Sequence, residues 1–138
     1  MMRLSLAAGI ALYTAFACTS LTLAEGPRRF GKVIVLKAEK IAEYKKLHAA
    51  CWPEVEKAMA DANIRNMTIY LRKLPDGKHY LFMYMEYTGS DFDRDMKKMG
   101  DDANVQRWWK LTDPCQEPLP DRKSGDWWAD MEEVYRQR

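Results

Sequence analysis

The spacing of hydrophobic side chains predicts three strands in the first two thirds of the chain. Residues 30–36 are mostly apolar and rich in β-branched side chains, which is typical of a buried strand. Residues 66–74 and 79–87 alternate from one sheet face to the other, with apolar side chains on a common side. The turn Pro75-Asp76-Gly77 between them predicts that they pair as an antiparallel hairpin.

Helical periodicity predicts a first helix between these strands, from residue 38 to about residue 63. Tyr44, His48 and Trp52 recur at helical spacing and therefore share one face. Pro53 lacks an amide hydrogen and clashes with the preceding turn. We therefore expect a kink after Trp52, which would splay His48 and Trp52 towards a cleft.

A second helix is predicted after the hairpin. Ser90 and Asp93 have the spacing of a capping box at its start. Gly100 interrupts the helix, and the two aspartates that follow can cap a restart. The restart carries the apolar residues Val105, Trp108, Trp109 and Leu111.

The end of the chain completes the predicted fold. Residues 114–126 predict a loop, and residues 127–135 predict a short strand with Met131 and Val134 in the core. The order strand, helix, strand, strand, helix, strand predicts a ferredoxin-like α+β fold (βαββαβ), an antiparallel sheet with both helices on one face. Because the other face stays uncovered, we expect two sheets to pair face to face.

Residues 1–24 have the pattern of a secretory signal peptide, with a positive start, an apolar stretch and small residues before two candidate cleavage sites. Cleavage is expected after Ala17 or Ala24. With residues 1–24 as the leader, the exported domain comprises residues 25–138. Membrane attachment would require that the leader is retained or that Cys18 is lipidated.

The charge balance argues against a polyanionic partner. The chain has 22 basic and 20 acidic residues, and removal of Arg3 with the leader would leave a net charge of +1. The basic residues are scattered rather than gathered into a patch with exposed aromatic side chains. We therefore expect no nucleic-acid partner.

Cysteine and histidine usage predicts no metal site. His48 and His79 are the only histidines, and no pair of Cys or His residues has the spacing of metal ligands. Cys51 and Cys115 are the cysteines that follow the leader. In an exported protein such a pair can form a disulfide, but two free thiols are equally compatible with the sequence.

His48 and Tyr44 form a candidate acid–base pair one helical turn apart. The unperturbed pKa of histidine is about 6.5, so its imidazole can accept or donate a proton near neutral pH. A core histidine with satisfied hydrogen bonds would show the same spacing, and the helix alone does not distinguish these interpretations.

The adjacent residues Trp108 and Trp109 form a second candidate feature. Neighbouring side chains on a helix diverge by about 100 degrees, so both rings rarely serve the same core. One ring can pack inside while the other lines a cleft, where its flat face suits the C–H-rich face of a sugar. Two core tryptophans would give the same pattern.

Four motifs together resemble the L-rhamnose mutarotase family over roughly residues 30–135. They are Tyr44-x-x-x-His48-x-x-x-Trp52-Pro53-Glu54, Ile69-Tyr70-Leu71, Gln106-Arg107-Trp108-Trp109-Lys110 and Glu132-Glu133-Val134-Tyr135. The resemblance implies an aldose mutarotase that interconverts the α and β anomers of L-rhamnose or a related 6-deoxy sugar, without a cofactor. It also implies a homodimer of the α/β-barrel type.

The resemblance also assigns roles to individual residues. His48 matches the proton donor of the family, Tyr44 a substrate-binding hydroxyl, and Trp108 with Trp109 the pair that contacts the sugar. Opening the pyranose requires protonation of the ring oxygen and removal of the proton of the anomeric hydroxyl. One imidazole near the ring oxygen and one acceptor near O1 suffice for this reaction.

Two features depart from the family pattern. The family has a substrate-binding Tyr directly after an Asn in the second strand, whereas here Met67 follows Asn66. A thioether cannot donate a hydrogen bond, so Tyr70 or Tyr84 is the candidate substitute. The leader is the other departure, because it predicts a periplasmic or extracellular protein and family members are usually cytoplasmic.

Two other functions fit the same pattern. A non-catalytic sugar-binding module on this fold would bind sugar without accelerating its reaction, and the thioether of Met67 motivates this alternative. A ferredoxin-like domain of the monooxygenase type, cofactor-free or haem-linked, would use similar His, Trp and Tyr residues. Oxygen uptake or a haem absorbance band would distinguish it from a mutarotase.

Overall fold

The computed structural model describes residues 26–137, so the predicted signal peptide and Cys18 lie outside the described residues. The described elements are β1 (Arg28–Leu36), α1 (Ile41–Ala49), α2 (Pro53–Asp61), β2 (Ile64–Lys73), β3 (His79–Tyr87), α3 (Phe92–Gly100), α4 (Ala103–Thr112), β4 (Gln116–Glu117) and β5 (Ala129–Met131). Within this range, no helix combines the length and the apolar character that crossing a membrane would need.

The strands form one antiparallel sheet in the order β2, β3, β1, and then β4. β4 pairs with Val35 and Leu36, whereas β5 pairs with residues 31–33 of the same edge of β1. Together the two short strands act as one interrupted edge strand. This order, with the helices described next, confirms the predicted ferredoxin-like α+β fold.

The helices cover one face of the sheet and build two apolar clusters there. The first cluster lies under α1 and contains Ile34, Leu36, Tyr44, Leu81 and Cys115. The second lies under α2 and α3, and it combines Ile64, Met83 and Met85 of the sheet with Met59, Phe92, Met96 and Met99 of the helices. Ile69 and Trp128 contact both clusters. Burial of these side chains is the main favourable contribution to folding.

The other face of the sheet has no helix packed on it in residues 26–137. The register of the strands places Val33 of β1 beside Phe82 and Tyr84 of β3 on this face. Tyr70 of β2 lies opposite Phe82 and is 64% exposed. The uncovered face is therefore largely apolar and aromatic.

The first helix differs from its prediction, because the chain forms two separate helices where one kinked helix was expected. α1 ends at Ala49, and Trp52 is extended, with φ −69° and ψ 134°, as the N-cap of α2. Pro53 is the first residue of α2, where an amide hydrogen has no helical partner and its absence costs little. Proline therefore starts a new helix here instead of bending an existing one.

The second helical segment is confirmed in outline, with a different first cap. The Asp91 side chain accepts a hydrogen bond from the Arg94 amide at 3.2 Å, so Asp91 replaces the predicted Ser90 as the cap of α3. The predicted restart is present as α4. Its cap is Asp102, whose Oδ1 accepts from the amides of Asn104 at 2.8 Å and Val105 at 3.1 Å.

The last strand is much shorter than predicted. β5 contains only residues 129–131, and the two-residue β4 lies inside the predicted loop. The expectation that Met131 and Val134 belong to the core is wrong, since they are 40% and 87% exposed. The physical reason is that β5 pairs with a short stretch at the edge of β1, and the residues after it leave the sheet.

Candidate active site

α1 brings Tyr44 and His48 into direct contact. Their ring centroids are 4.1 Å apart and the rings stack with an angle of 28° between their planes. Nδ1 of His48 lies 3.0 Å from the backbone carbonyl oxygen of Tyr44. Because a carbonyl oxygen can only accept, this hydrogen bond requires a hydrogen on Nδ1. In the neutral ring Nε2 is then unprotonated and can accept a proton.

Burial sets the charge of this imidazole. Desolvation lowers the pKa of His48 below its ordinary value of 6.5, and it outweighs the opposing effect of the hydrogen bond to the Tyr44 backbone. His48 is therefore neutral at pH 7. An imidazole in this state begins a reaction as a base, and it can act as a proton donor only after it has taken up a proton.

Two tryptophans from different elements form one group of aromatic rings with His48, which Trp108 contacts directly. The Trp108 ring of α4 is 6% exposed and meets the His48 ring edge-on at a centroid distance of 5.3 Å. The Trp52 ring, from the segment between α1 and α2, lies 5.5 Å from that of Trp108. The Arg107 guanidinium lies over Trp52 at 5.4 Å from the ring centroid. Although α1 ends before Trp52, the Trp52 ring still contacts Trp108, which in turn contacts His48.

Trp109 points in another direction from Trp108, as expected for adjacent residues on a helix. It is 39% exposed, and its ring edge lies near Gly100, where a Cβ added to the glycine would be in van der Waals contact with the ring at 3.5 Å. Of the two predicted sugar-contacting tryptophans, the structure shows a ring contact with His48 for Trp108.

The Tyr44 hydroxyl has a partner that no sequence motif indicated. Tyr44 and Gln116 are each 5% exposed, and Nε2 of Gln116 lies 3.4 Å from the Tyr44 oxygen. Oε1 of Gln116 accepts a hydrogen bond of 2.8 Å from the indole nitrogen of Trp127. Desolvation raises the pKa of Tyr44 far above its ordinary value, so the phenol is protonated at neutral pH.

The two candidate substitutes for the missing tyrosine do not lie near His48 within one chain. Tyr70 and Tyr84 belong to the uncovered face of the sheet, and the Tyr84 hydroxyl donates to Glu86 at 2.7 Å. Met67 packs against the second apolar cluster, on the side that the helices cover. The sheet itself therefore separates both hydroxyls from the side on which Tyr44 and His48 lie.

Among residues 26–137, the two cysteines, Cys51 and Cys115, are not bridged to each other. Cys51 is a half-buried free thiol beside Trp52, and Cys115 is a free thiol buried in the first apolar cluster. Residues 26–137 contain no group of three or more His, Cys, Asp or Glu side chains arranged to hold a metal ion.

A sequence profile of L-rhamnose mutarotase matches residues 29–137, which is nearly the whole described chain. The chain belongs to the L-rhamnose mutarotase family. An L-rhamnose mutarotase of Phocaeicola vulgatus is 34% identical over 79 residues, which cover 57% of this chain and 70% of that protein. A UPF0734 protein of Dictyostelium discoideum is 35% identical over 108 residues, covering 74% of this chain and 82% of that one.

The fold agrees with that of a solved member of the L-rhamnose mutarotase family. The crystal structure of L-rhamnose mutarotase FA22100 from Formosa agariphila superposes with a TM-score of 0.60, covering 80% of this chain and 99% of that chain. At 19% sequence identity this likeness establishes the fold of the chain. Family membership places the chain among isomerases that act on carbohydrates.

Proposed function

We propose that this protein interconverts the α and β anomers of L-rhamnose, or of a related 6-deoxy sugar, and that His48 moves the proton. The observation that carries the proposal is the state of the imidazole. Its Nδ1 hydrogen is held by the Tyr44 carbonyl, its pKa is lowered by burial, and its Nε2 is free to accept a proton. Membership of the L-rhamnose mutarotase family supports the substrate class.

The proposed reaction needs only proton transfers. Nε2 of His48 takes the proton of the anomeric hydroxyl, O1 forms a carbonyl with C1, and the bond from C1 to the ring oxygen O5 breaks. O5 receives the proton back from the imidazolium, so that one nitrogen acts first as base and then as acid. After rotation about the C1–C2 bond the steps run in reverse and close the ring as the other anomer.

The neighbours of His48 would bind and orient the sugar. We assign Tyr44 a hydrogen bond to a sugar oxygen and the Trp52–Trp108 pair an apolar contact with the ring. Trp108 also limits the rotation of the His48 ring, because it packs edge-on against it at 5.3 Å. We give Trp109 a weaker role at the margin of the site, since its ring packs beside Gly100.

We also propose that the uncovered sheet face pairs with that of a second copy. The apolar and aromatic surface around Phe82, Tyr70 and Val33 supports this homodimer, because an exposed apolar sheet face on a soluble chain usually has a partner. Sedimentation velocity would test it. A dimer that the variant Phe82→Glu converts to a monomer is expected, and a monomeric parent protein would contradict the pairing.

Export remains a separate proposal that rests on residues 1–24. We expect the mature protein outside the cytoplasm, periplasmic or extracellular, where it would meet sugar released from polysaccharides. Mass spectrometry of the protein from fractionated cells tests this. A mature chain that begins after residue 17 or 24 is expected, whereas an intact chain recovered from the cytoplasm would contradict export.

The decisive experiment measures the exchange between the two anomers of L-rhamnose by saturation-transfer proton NMR. The purified parent protein is expected to accelerate exchange over buffer, and His48→Ala is expected to lose about 100-fold or more of this acceleration. His79→Ala is the matched control, because it removes the other histidine, which lies at the start of β3.

Each outcome of this experiment has a distinct meaning. Acceleration by the parent and not by His48→Ala supports both the reaction and its proton carrier. Acceleration that survives in His48→Ala contradicts the role of His48. If L-rhamnose and other 6-deoxy sugars bind but exchange no faster than in buffer, the protein is a sugar-binding module and not a mutarotase.

A further inference from the structure

Three side chains from distant parts of the sequence form a directed chain of hydrogen bonds that ends at Tyr44. The Trp127 indole donates to Oε1 of Gln116 at 2.8 Å, and Nε2 of Gln116 lies 3.4 Å from the Tyr44 hydroxyl oxygen. These two hydrogen bonds lead to Tyr44, and the ring of His48 stacks on the Tyr44 ring.

The chemistry of these groups fixes the direction of each hydrogen bond. An indole N–H can only donate, so the end of the Gln116 amide that faces Trp127 must be its oxygen. The NH₂ end then faces Tyr44, and it too can only donate. The Tyr44 oxygen therefore accepts from Gln116, and its own proton is left to point elsewhere.

The backbone holds Gln116 in this position. Gln116 is the first residue of β4 and pairs with Leu36 at the edge of β1. The amide of Lys37 also donates to the carbonyl oxygen of Cys115 at 2.9 Å, immediately before Gln116. The backbone of Gln116 is thus held by the sheet, and its side-chain oxygen is held by the Trp127 indole.

We propose that Gln116 is a positioning residue that turns the Tyr44 hydroxyl into an obligatory hydrogen-bond donor towards a sugar oxygen. This inference rests on the proposed function and extends it to a residue outside the motifs. A ring oxygen has lone pairs and no hydrogen, so it needs a donor as its partner. During ring opening the same oxygen gains negative charge before it is protonated, and a donor already aimed at it stabilises that charge.

The test uses two replacements of Gln116 that leave its volume nearly unchanged. Gln116→Met removes the donor, and we expect it to lower kcat/KM for anomer exchange roughly five- to tenfold, the scale of one hydrogen bond. Gln116→Glu places a carboxylate beside Tyr44. Because a carboxylate can only accept, the Tyr44 hydroxyl would donate to it, and the direction of this hydrogen bond would be reversed. A larger loss is expected for Gln116→Glu than for Gln116→Met.

The double variant with Tyr44→Phe separates positioning from packing. If Gln116 acts through the Tyr44 hydroxyl, Gln116→Met adds no further loss to Tyr44→Phe. Equal losses in both backgrounds would overturn the proposal. Gln106→Met is the matched control, because it removes a glutamine amide that donates to the Gly100 carbonyl on the surface, and it should leave kcat/KM unchanged.

A second readout does not depend on activity. The side-chain amide of Gln116 gives two ¹H–¹⁵N signals in the NMR spectrum, which can be assigned from Gln116→Met. Tyr44→Phe should shift them, and Trp127→Phe should shift them as well, because it removes the indole N–H that donates to Oε1 of Gln116. If the parent protein accelerates no sugar, the proposed function fails, and shifts in both variants still establish the bond. Unshifted Gln116 signals would overturn the positioning role regardless of activity.

Discussion

Two buried tyrosines on the helix-covered side of the sheet have opposite hydrogen-bond patterns. Tyr87 is 1% exposed, and its hydroxyl donates to Asp95 at 2.7 Å while it accepts from the amide of Asp91 at 2.9 Å. Asp95 also accepts from Asn63 at 2.8 Å and from Arg94 at 3.1 Å. The Tyr87 hydroxyl and the Asp95 carboxylate therefore both have their hydrogen-bond partners within the protein.

Tyr44 is equally buried but is only partly satisfied. Within residues 26–137 its hydroxyl has one hydrogen bond, which it accepts from Gln116. The Tyr87 hydroxyl is also closely packed against Gly89, since a Cβ added there would overlap the Tyr87 oxygen. A saturated network fixes the fold, whereas a buried hydroxyl with an unused proton is suited to a ligand. The difference favours a structural role for the region around Tyr87 and supports the chemical role proposed for the region around Tyr44.

The largest effect is expected from Asp95→Ala, which removes the acceptor shared by Tyr87, Asn63 and Arg94. The buried Tyr87 hydroxyl and the part-buried Asn63 amide lose their acceptor, so the melting temperature should fall by roughly 10 °C. Differential scanning calorimetry measures this. Asp93→Ala in the same helix turn is the control, because Asp93 is exposed, and it should have little effect.

The second prediction compares two variants, each of which removes the phenolic oxygen of one of the two tyrosines. Tyr44→Phe should lower the rate of anomer exchange about tenfold, because the proposed hydrogen bond to the sugar is lost. It should lower the melting temperature less than Tyr87→Phe does, because the Tyr44 hydroxyl has one hydrogen bond of 3.4 Å and the Tyr87 hydroxyl has two of 2.7 and 2.9 Å. Tyr87→Phe should lower the melting temperature and leave the exchange rate of the folded protein unchanged. Calorimetry and NMR on both variants check this crossed pattern. Equal effects of both variants on rate would remove the distinction between the regions.

The sequence predicted the parts of each region that depend on local spacing. The alternation in β2 and β3 identified the faces of the sheet, and the interval of four residues placed Tyr44 beside His48, as the structure shows. Such contacts depend only on the geometry of one element.

Contacts between distant segments were not predictable. Gln116 and Tyr44 are 72 residues apart, and Gln116 sits in a two-residue strand that gives no periodic signal. The exposed Val134 was placed in the core because its hydrophobic neighbours look like a strand, although no strand of residues 26–137 pairs with it. The register of a short edge strand is set by tertiary contacts rather than by its own residues.

The two regions should also respond to acid in different pH ranges. The pKa of His48 is lowered by burial, so its neutral form persists at pH 6.5 and the exchange rate should fall only as the pH drops further below that value. The hydrogen bonds from Tyr87 and Asn63 lower the pKa of Asp95 below 3.8. Since the folded state then holds this proton less tightly than the unfolded state, Asp95 stabilises the fold above pH 3.8 and this contribution is lost as the pH falls further.

Rate and stability profiles measured on one sample check this order. The rate should decline first, with the protein still folded, and unfolding should follow at lower pH. In Asp95→Asn the rate profile should keep its position, while the part of the stability profile due to this carboxylate should disappear. A rate that falls only together with unfolding would show that no group in the site titrates on its own.

The smallest effect is expected from Trp109→Ala. Its indole packs beside Gly100 at the junction of α3 and α4 and is 39% exposed, so it lies at the margin of both regions. We expect KM for the sugar to rise no more than about threefold, because a partly exposed ring contributes little binding free energy when the main contacts lie elsewhere. Trp108→Phe, which changes the ring against His48, should lower kcat more strongly. Anomer-exchange kinetics of both variants measure this, and a larger loss for Trp109→Ala would extend the sugar site from α1 towards the end of α3.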